Sequence, residues 1–132
     1  MLKSTMRVSG NVAGVPSATQ DSFRVLRYSY VADVLEKRQP HRSGHLQLLK
    51  TFFQPDELLL GGAFANPPDG AMLVFRNVSK ERIERFVSQD PYVRNDLVTH
   101  WDIRDWSCVV GSVLDVGVGV GGPGGKENEK KK

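Results

Sequence analysis

Between residues 22 and 111 the apolar positions fall into segments of two different periods. Phe23-Arg-Val-Leu-Arg-Tyr-Ser-Tyr-Val31 alternates in part and is rich in β-forming residues, which predicts a first strand. Ala32 to Phe53 reads as helical in two pieces, opening with Val34-Leu-Glu-Lys and interrupted at Pro40. Beyond the proline, His45, Leu49 and Phe52 recur at i, i+4 and i+7, and Leu46, Leu48 and Phe53 widen the stripe. Pro55-Asp56 ends the helix. Glu57 to Ala65, nearly continuous in apolar residues, predicts a second strand. Asn66-Pro-Pro-Asp-Gly70 is a turn, and Met72-Leu-Val-Phe75 a third strand that closes a hairpin. Ser79 suits an N-cap, with Glu81 in the first turn and Ile83, Phe86 and Val87 as a short apolar stripe. That predicts a second helix over Lys80 to Gln89, ended by Asp90-Pro91. Leu97 to Val110 is a fourth strand, β-prone through Val98, Thr99, Trp101, Ile103 and Trp106.

The order β-α-β-β-α-β is the ferredoxin-like arrangement, an α+β fold with both helices on one face of an antiparallel sheet. The other face matters. Leu58 to Phe64 and Met72 to Phe75 are apolar at successive positions, so both faces of those strands carry apolar side chains. A small domain does not leave that much apolar surface in water. Burial against a second copy, sheet face to sheet face, is the simplest resolution, so a homodimer is expected.

Composition fits one soluble domain: 132 residues, 39% hydrophobic and 25% charged. The 18 basic and 15 acidic residues are unevenly placed. Residues 21–111 hold 12 of each, and the net charge of +3 lies in the ends. A nucleic-acid binder carries its basic stripe on the folded part, so no nucleic-acid partner is expected. The uncharged run Val8 to Gln20 is too short and polar to span a bilayer, so no membrane partner is expected either. Residues 1–21 read as a flexible leader whose basic, hydroxylated, acid-poor composition also fits a transit peptide. The expected location is cytoplasmic, with mitochondrial as the alternative. Residues 112–132 read as a flexible Gly/Lys-rich tail. Its glycines are followed by Pro123 and lysines rather than by a helix, so they do not form a phosphate-binding loop. No cofactor is expected.

Few residues are candidates for chemistry. His41 and His45 are four apart, but Arg42 lies between them and the glutamate of a zinc-protease motif is absent, so a metal site is not expected. Lone Cys108 reads as a small residue of an apolar strand. His45 heads an apolar stripe and should point toward the sheet, as a core imidazole or as a general base. Asp90 sits at a helix C-terminus, where the dipole disfavours a carboxylate. Either it caps a following turn with Pro91 in first position, or it orients and charges an imidazole.

Leu35-Glu-Lys-Arg38, Arg42-x-x-His45-Leu46, Leu58-Leu-Leu-Gly-Gly62, Asp69-Gly70, Asp90-Pro-Tyr-Val93 and Trp101-x-Ile-x-x-Trp106 occur in this order. Together they resemble the YciI-like (YCII-domain) proteins over about residues 22–107. The resemblance implies a dimeric α+β barrel and a site holding a His and an Asp, which match His45 and Asp90. Arg42 matches the arginine of the same motif. Some relatives act on small cyclic or aromatic catabolites, as dehydrochlorinases do. One geometric condition attaches: if Pro40 opens the main part of the first helix, His45 lies in its first turns and can reach Asp90; if one helix runs from Ala32, it cannot.

Three function classes stay open. The first is an enzyme of the proton-transfer, lyase or isomerase type on a small anionic or aromatic molecule, with His45 as acid or base, Asp90 behind it and Arg42 on the substrate. The second is a dimeric module that binds a metabolite without reaction. The third is a scaffold with no ligand. Water access to His45 separates the first two from the third.

Overall fold

The computed structural model describes residues 20–114. The expected leader and tail fall almost wholly outside them. Strand β1 (Phe23–Tyr30) is followed by the short helix α1 (Val34–Lys37), a 3-10 turn (Gln39–His41) and helix α2 (Arg42–Phe52). Then come β2 (Leu58–Ala63), β3 (Gly70–Arg76), α3 (Lys80–Gln89), the single-turn α4 (Pro91–Arg94) and β4 (Val98–Trp106). The sheet order is β2-β3-β1-β4, and the three ladders are antiparallel. This is the ferredoxin-like α+β fold, with the elements in the order the periodicity predicts.

Pro40 does break the first helix. It sits inside the 3-10 turn, and α2 begins two residues later at Arg42. Ser79 caps α3, its hydroxyl accepting from the Arg82 amide at 3.2 Å. Strand β4 ends at Trp106, short of the expected Val110. The physical reason is register: Trp106 pairs with Phe23, the first residue of β1, and past it the ladder has no partner.

Alternation sorts the sheet into two faces. Leu26 and Tyr28 of β1 pair with Leu73 and Ala71 of β3, and these side chains form the core with Ile83, Phe86 and Val87 of α3. Leu48, Leu49 and Phe52 of α2 pack on the same cluster, so both long helices lie on this face. The open face is less uniformly apolar than its sequence implies. Val25 and Val74 are buried there, while Leu60, Phe64 and Trp106 are exposed. Toward β4 it turns polar: Arg27 pairs with Asp102, and His100 lies opposite Ser29.

One long-range clamp ties the helical layer to the strand hairpin. The Arg82 guanidinium donates to Glu57 Oε2 at 2.8 Å and to the Phe52 carbonyl at 3.0 Å. It thereby joins the start of α3 to the end of α2 and the residue preceding β2. Arg82 holds the Glu57 carboxyl below its ordinary range, chiefly by this hydrogen bond.

Candidate active site

Asp90 is the centre of the site and has no solvent exposure. It ends α3, its amide donating to the Val87 carbonyl, and its backbone is extended at φ −66° and ψ 123°. That conformation lets the same residue begin α4. Oδ1 accepts from the Tyr92 amide at 3.0 Å, with Pro91 in the first helical position. The cap leaves room for an imidazole contact on the same oxygen. Oδ1 also lies 2.7 Å from His45 Nδ1. Oδ2 accepts the Tyr28 hydroxyl at 2.6 Å. Three donors converge on one buried carboxylate, which compensates its removal from water.

His45 reaches this carboxylate because α2 starts at Arg42 and not at Ala32. It lies in the first turn, buried, with its ring stacked flat on Tyr92 at 3.9 Å between centroids and 5° between planes. A carboxylate accepts only, so Nδ1 carries a proton, and in the tautomer that this contact selects the lone pair is on Nε2. Nε2 has no hydrogen-bond partner among the described residues, and His45 lines a cleft.

That cleft has a volume of about 330 Å³ and lies between α2 and the β2–β3 end of the sheet. Leu46 and Leu49 form the helical wall, Leu58 and Leu73 the opposite one, and Gly61, Gly62 and Ala63 leave the β2 side bare. Tyr30, Tyr92, Arg38 and Arg42 form its polar end. Burial raises the Tyr92 hydroxyl above its ordinary range, opposed by the Arg38 charge and by Arg42 beside it. Burial also pushes Tyr30 up to about 12, again opposed by both arginines. Burial and the Asp90 charge raise Tyr28 further still. All three hydroxyls stay neutral donors at physiological pH.

His45, Asp90 and Arg42 thus meet at one place, the first two in contact and the third on the cleft wall. Tyr28 and Arg38 belong to the same constellation and were not singled out from the sequence. A signal for Tyr28 existed: two tyrosines on the core face of a central strand each need a hydrogen-bond partner. Among the described residues no group of three or more His, Cys, Asp or Glu side chains is placed to hold a metal ion, and no helix is long and apolar enough to cross a membrane.

The family model described as a YCII-related domain matches residues 23–107. No curated protein matches the chain. Among solved structures, the 5-chloro-2-hydroxyhydroquinone dehydrochlorinase TftG of Burkholderia phenoliruptrix AC1100, in complex with 2,5-dihydroxybenzoquinone, superposes with a TM-score of 0.57 at 17% identity. The match covers 66% of this chain and 95% of that one. A nipsnap family protein of unknown function from Agrobacterium tumefaciens str. C58 gives 0.50 at 12% identity, covering 71% and 94%. At these identities the likeness is one of fold.

Proposed function

The chain belongs to the YCII-related domain family, and from that membership and the geometry of the cleft we propose that it is a small-molecule enzyme. In this reading it moves a proton on a small anionic or aromatic metabolite, as a lyase or isomerase does. The observation that carries the reading is the setting of His45: Nδ1 is anchored to a buried carboxylate, Nε2 has no partner among the described residues, and the residue lines a cleft. A purely structural imidazole has no need of a free nitrogen beside a cavity.

His45 Nε2 takes a proton from a carbon or hydroxyl of the bound molecule, and the imidazolium returns it to another atom or to the leaving group. Asp90 fixes the tautomer and stabilises the imidazolium, without itself receiving the proton. Tyr28 holds Oδ2, so the carboxylate cannot rotate away from Nδ1. Arg42 pairs with a carboxylate or phenolate of the substrate and draws off the charge that develops on proton removal. The fold-level likeness to a dehydrochlorinase bound to a dihydroxybenzoquinone supports a ring of that size without assigning that reaction.

The same reading includes a homodimer. Leu60 and Phe64 at the β2 edge and Trp106 on β4 are exposed apolar side chains of the open sheet face, suited to a second copy. The test of activity is proton exchange. Single-ring phenols, hydroxyquinones and lactones are incubated with the protein in D2O, and loss of a C–H signal is followed by NMR. A compound exchanged by the wild type should exchange about 100-fold or more slowly with His45→Gln. Exchange unaffected by that substitution refutes His45 as the base.

A further inference from the structure

Three arginine Nε groups among the described residues are sealed from solvent and have no hydrogen-bond partner: Arg24, Arg38 and Arg76. Two of them sit beside a carboxylate. Arg24 Nε lies 3.0 Å from Asp105, and Arg76 Nε 3.8 Å from Asp21. Arg38 has no carboxylate within ion-pair distance among the described residues, although it lies on the wall of the cleft. An unpaired guanidinium N–H away from water is costly, and more so because it is charged. Among the described residues Arg42 on the same wall is also without a carboxylate partner, and neither Asp nor Glu lines the cleft. Among those residues, two positive charges thus face one small cavity whose lining holds no counterion.

We propose that Arg38 is the anchor of the cleft for a carboxylate, and that the ligand is a single-ring carboxylate. The inference rests on the proposed function and narrows its substrate class. Because Arg38 Nε is sealed, a ligand in the cleft meets the two Nη groups at the end of the guanidinium, whose paired N–H groups form an end-on fork that matches the two oxygens of a carboxylate. A ligand carboxylate there supplies the counterion that Arg38 lacks among the described residues, and Arg42 neutralises the remaining charge. The rest of the cleft suits the ring. Leu46 and Leu49 cover one side of it, and bare Gly61 and Ala63 the other. A Cβ at Gly61 would already come within 3.3 Å of Leu73, so the floor has no room for a larger side chain. The volume of about 330 Å³ is at the small end for ligand sites, in keeping with one ring. With its carboxylate at the tyrosine–arginine end, the ring lies alongside His45.

The matched probes are salicylate and salicylamide, which share a ring and differ in charge. Each is titrated into the full chain by calorimetry, with amide shifts at Gly61 and Gly62 as the locator. Salicylate should bind at least about tenfold more tightly than salicylamide, the difference expected from hydrogen bonds to a charged group. Arg38→Met should abolish that preference. Arg38→Lys, which keeps the charge but loses the fork, should reduce it and guards against a folding defect in the first variant. A wild-type preference for salicylate with no proton exchange on any ring carboxylate would sink the proton-transfer reading and leave the anchor standing. Equal affinity for the two probes, binding of neither, shifts away from β2, or a folded Arg38→Met protein that keeps the preference overturns the anchor.

Discussion

Replacing Asp90 by Asn tests the buried triad, and its outcome can be worked from three hydrogen bonds. Oδ1 accepts from a backbone amide and from His45 Nδ1, and Oδ2 from the Tyr28 hydroxyl. The Tyr92 amide can only donate, so the carbonyl of an asparagine must occupy the Oδ1 position. Its NH2 group then faces the Tyr28 oxygen, and the hydroxyl must turn from donor to acceptor. The cap survives, since Asn caps about as well as Asp. The His45 Nδ1 proton also survives. What is lost is the negative charge behind the imidazole and the acceptor for one buried hydroxyl proton. An unsatisfied buried hydroxyl costs about 1–3 kcal/mol, which lowers Tm by roughly 4–8 °C per kcal/mol in a domain of this size.

The reasoning makes a sign prediction. Tyr28→Phe in the wild type removes a charge-assisted hydrogen bond and should destabilise by about 1.5–3 kcal/mol. In the Asp90→Asn background the same change removes an orphaned proton, so the cost should shrink or reverse. Urea unfolding of the four proteins yields the coupling energy. Long-range 15N–1H NMR of His45 reports which nitrogen is protonated. Asp90→Ala, which leaves three buried donors without an acceptor, should be the least stable variant. Additive effects of Tyr28→Phe and Asp90→Asn would refute the hydroxyl reversal. A His45 proton found on Nε2 in Asp90→Asn would refute the orientation of the amide.

The remaining predictions concern the rest of the fold. Arg82 depresses the Glu57 carboxyl, so this group binds its proton more weakly folded than unfolded. Its stabilising contribution is therefore present above the ordinary carboxylate range and is lost as pH falls through the depressed value. Glu57→Gln should lower stability at neutral pH and flatten the loss below about pH 4.5; an unchanged acid limb in urea titrations refutes the clamp. Light scattering should give about twice the chain mass of 14.7 kDa, and Leu60→Asp on the open face should shift it toward the monomer; a monomeric wild type refutes the dimer. Deleting residues 1–20 and 114–132 should change Tm by no more than a few degrees, and a larger loss would show an end packed on the domain.

Element order was legible because period is a local property. The alternation of β1 and the stripe of α2 each occupy a few adjacent residues, and Pro40 acts on its own neighbours. Strand ends were less legible, because they depend on partners. Nothing in Ser107-Cys-Val-Val110 says that β1 begins opposite Trp106. From sequence alone the open face looks more apolar than it is, for the same reason. β2 and β3 advertise their apolar residues, but it is the register that brings Arg27 opposite Asp102 on β4.

The site divides along the same line. His45 and Asp90 each break a local rule, an imidazole at the head of an apolar stripe and a carboxylate at the negative end of a helix, and a residue that contradicts its surroundings is visible one residue at a time. Tyr28 and Arg38 break none. A tyrosine in a strand and an arginine after a short helix satisfy every local preference, and their roles arise only when the chain closes. The sheet then sets Tyr28 beneath Asp90, and the 3-10 turn at Pro40 leaves Arg38 on the wall that α2 extends. The break at Pro40 is thus the one local feature on which the whole constellation depends. It sets where α2 starts, hence that His45 faces Asp90, and it leaves Arg38 one turn ahead of Arg42 on the same side of the cleft.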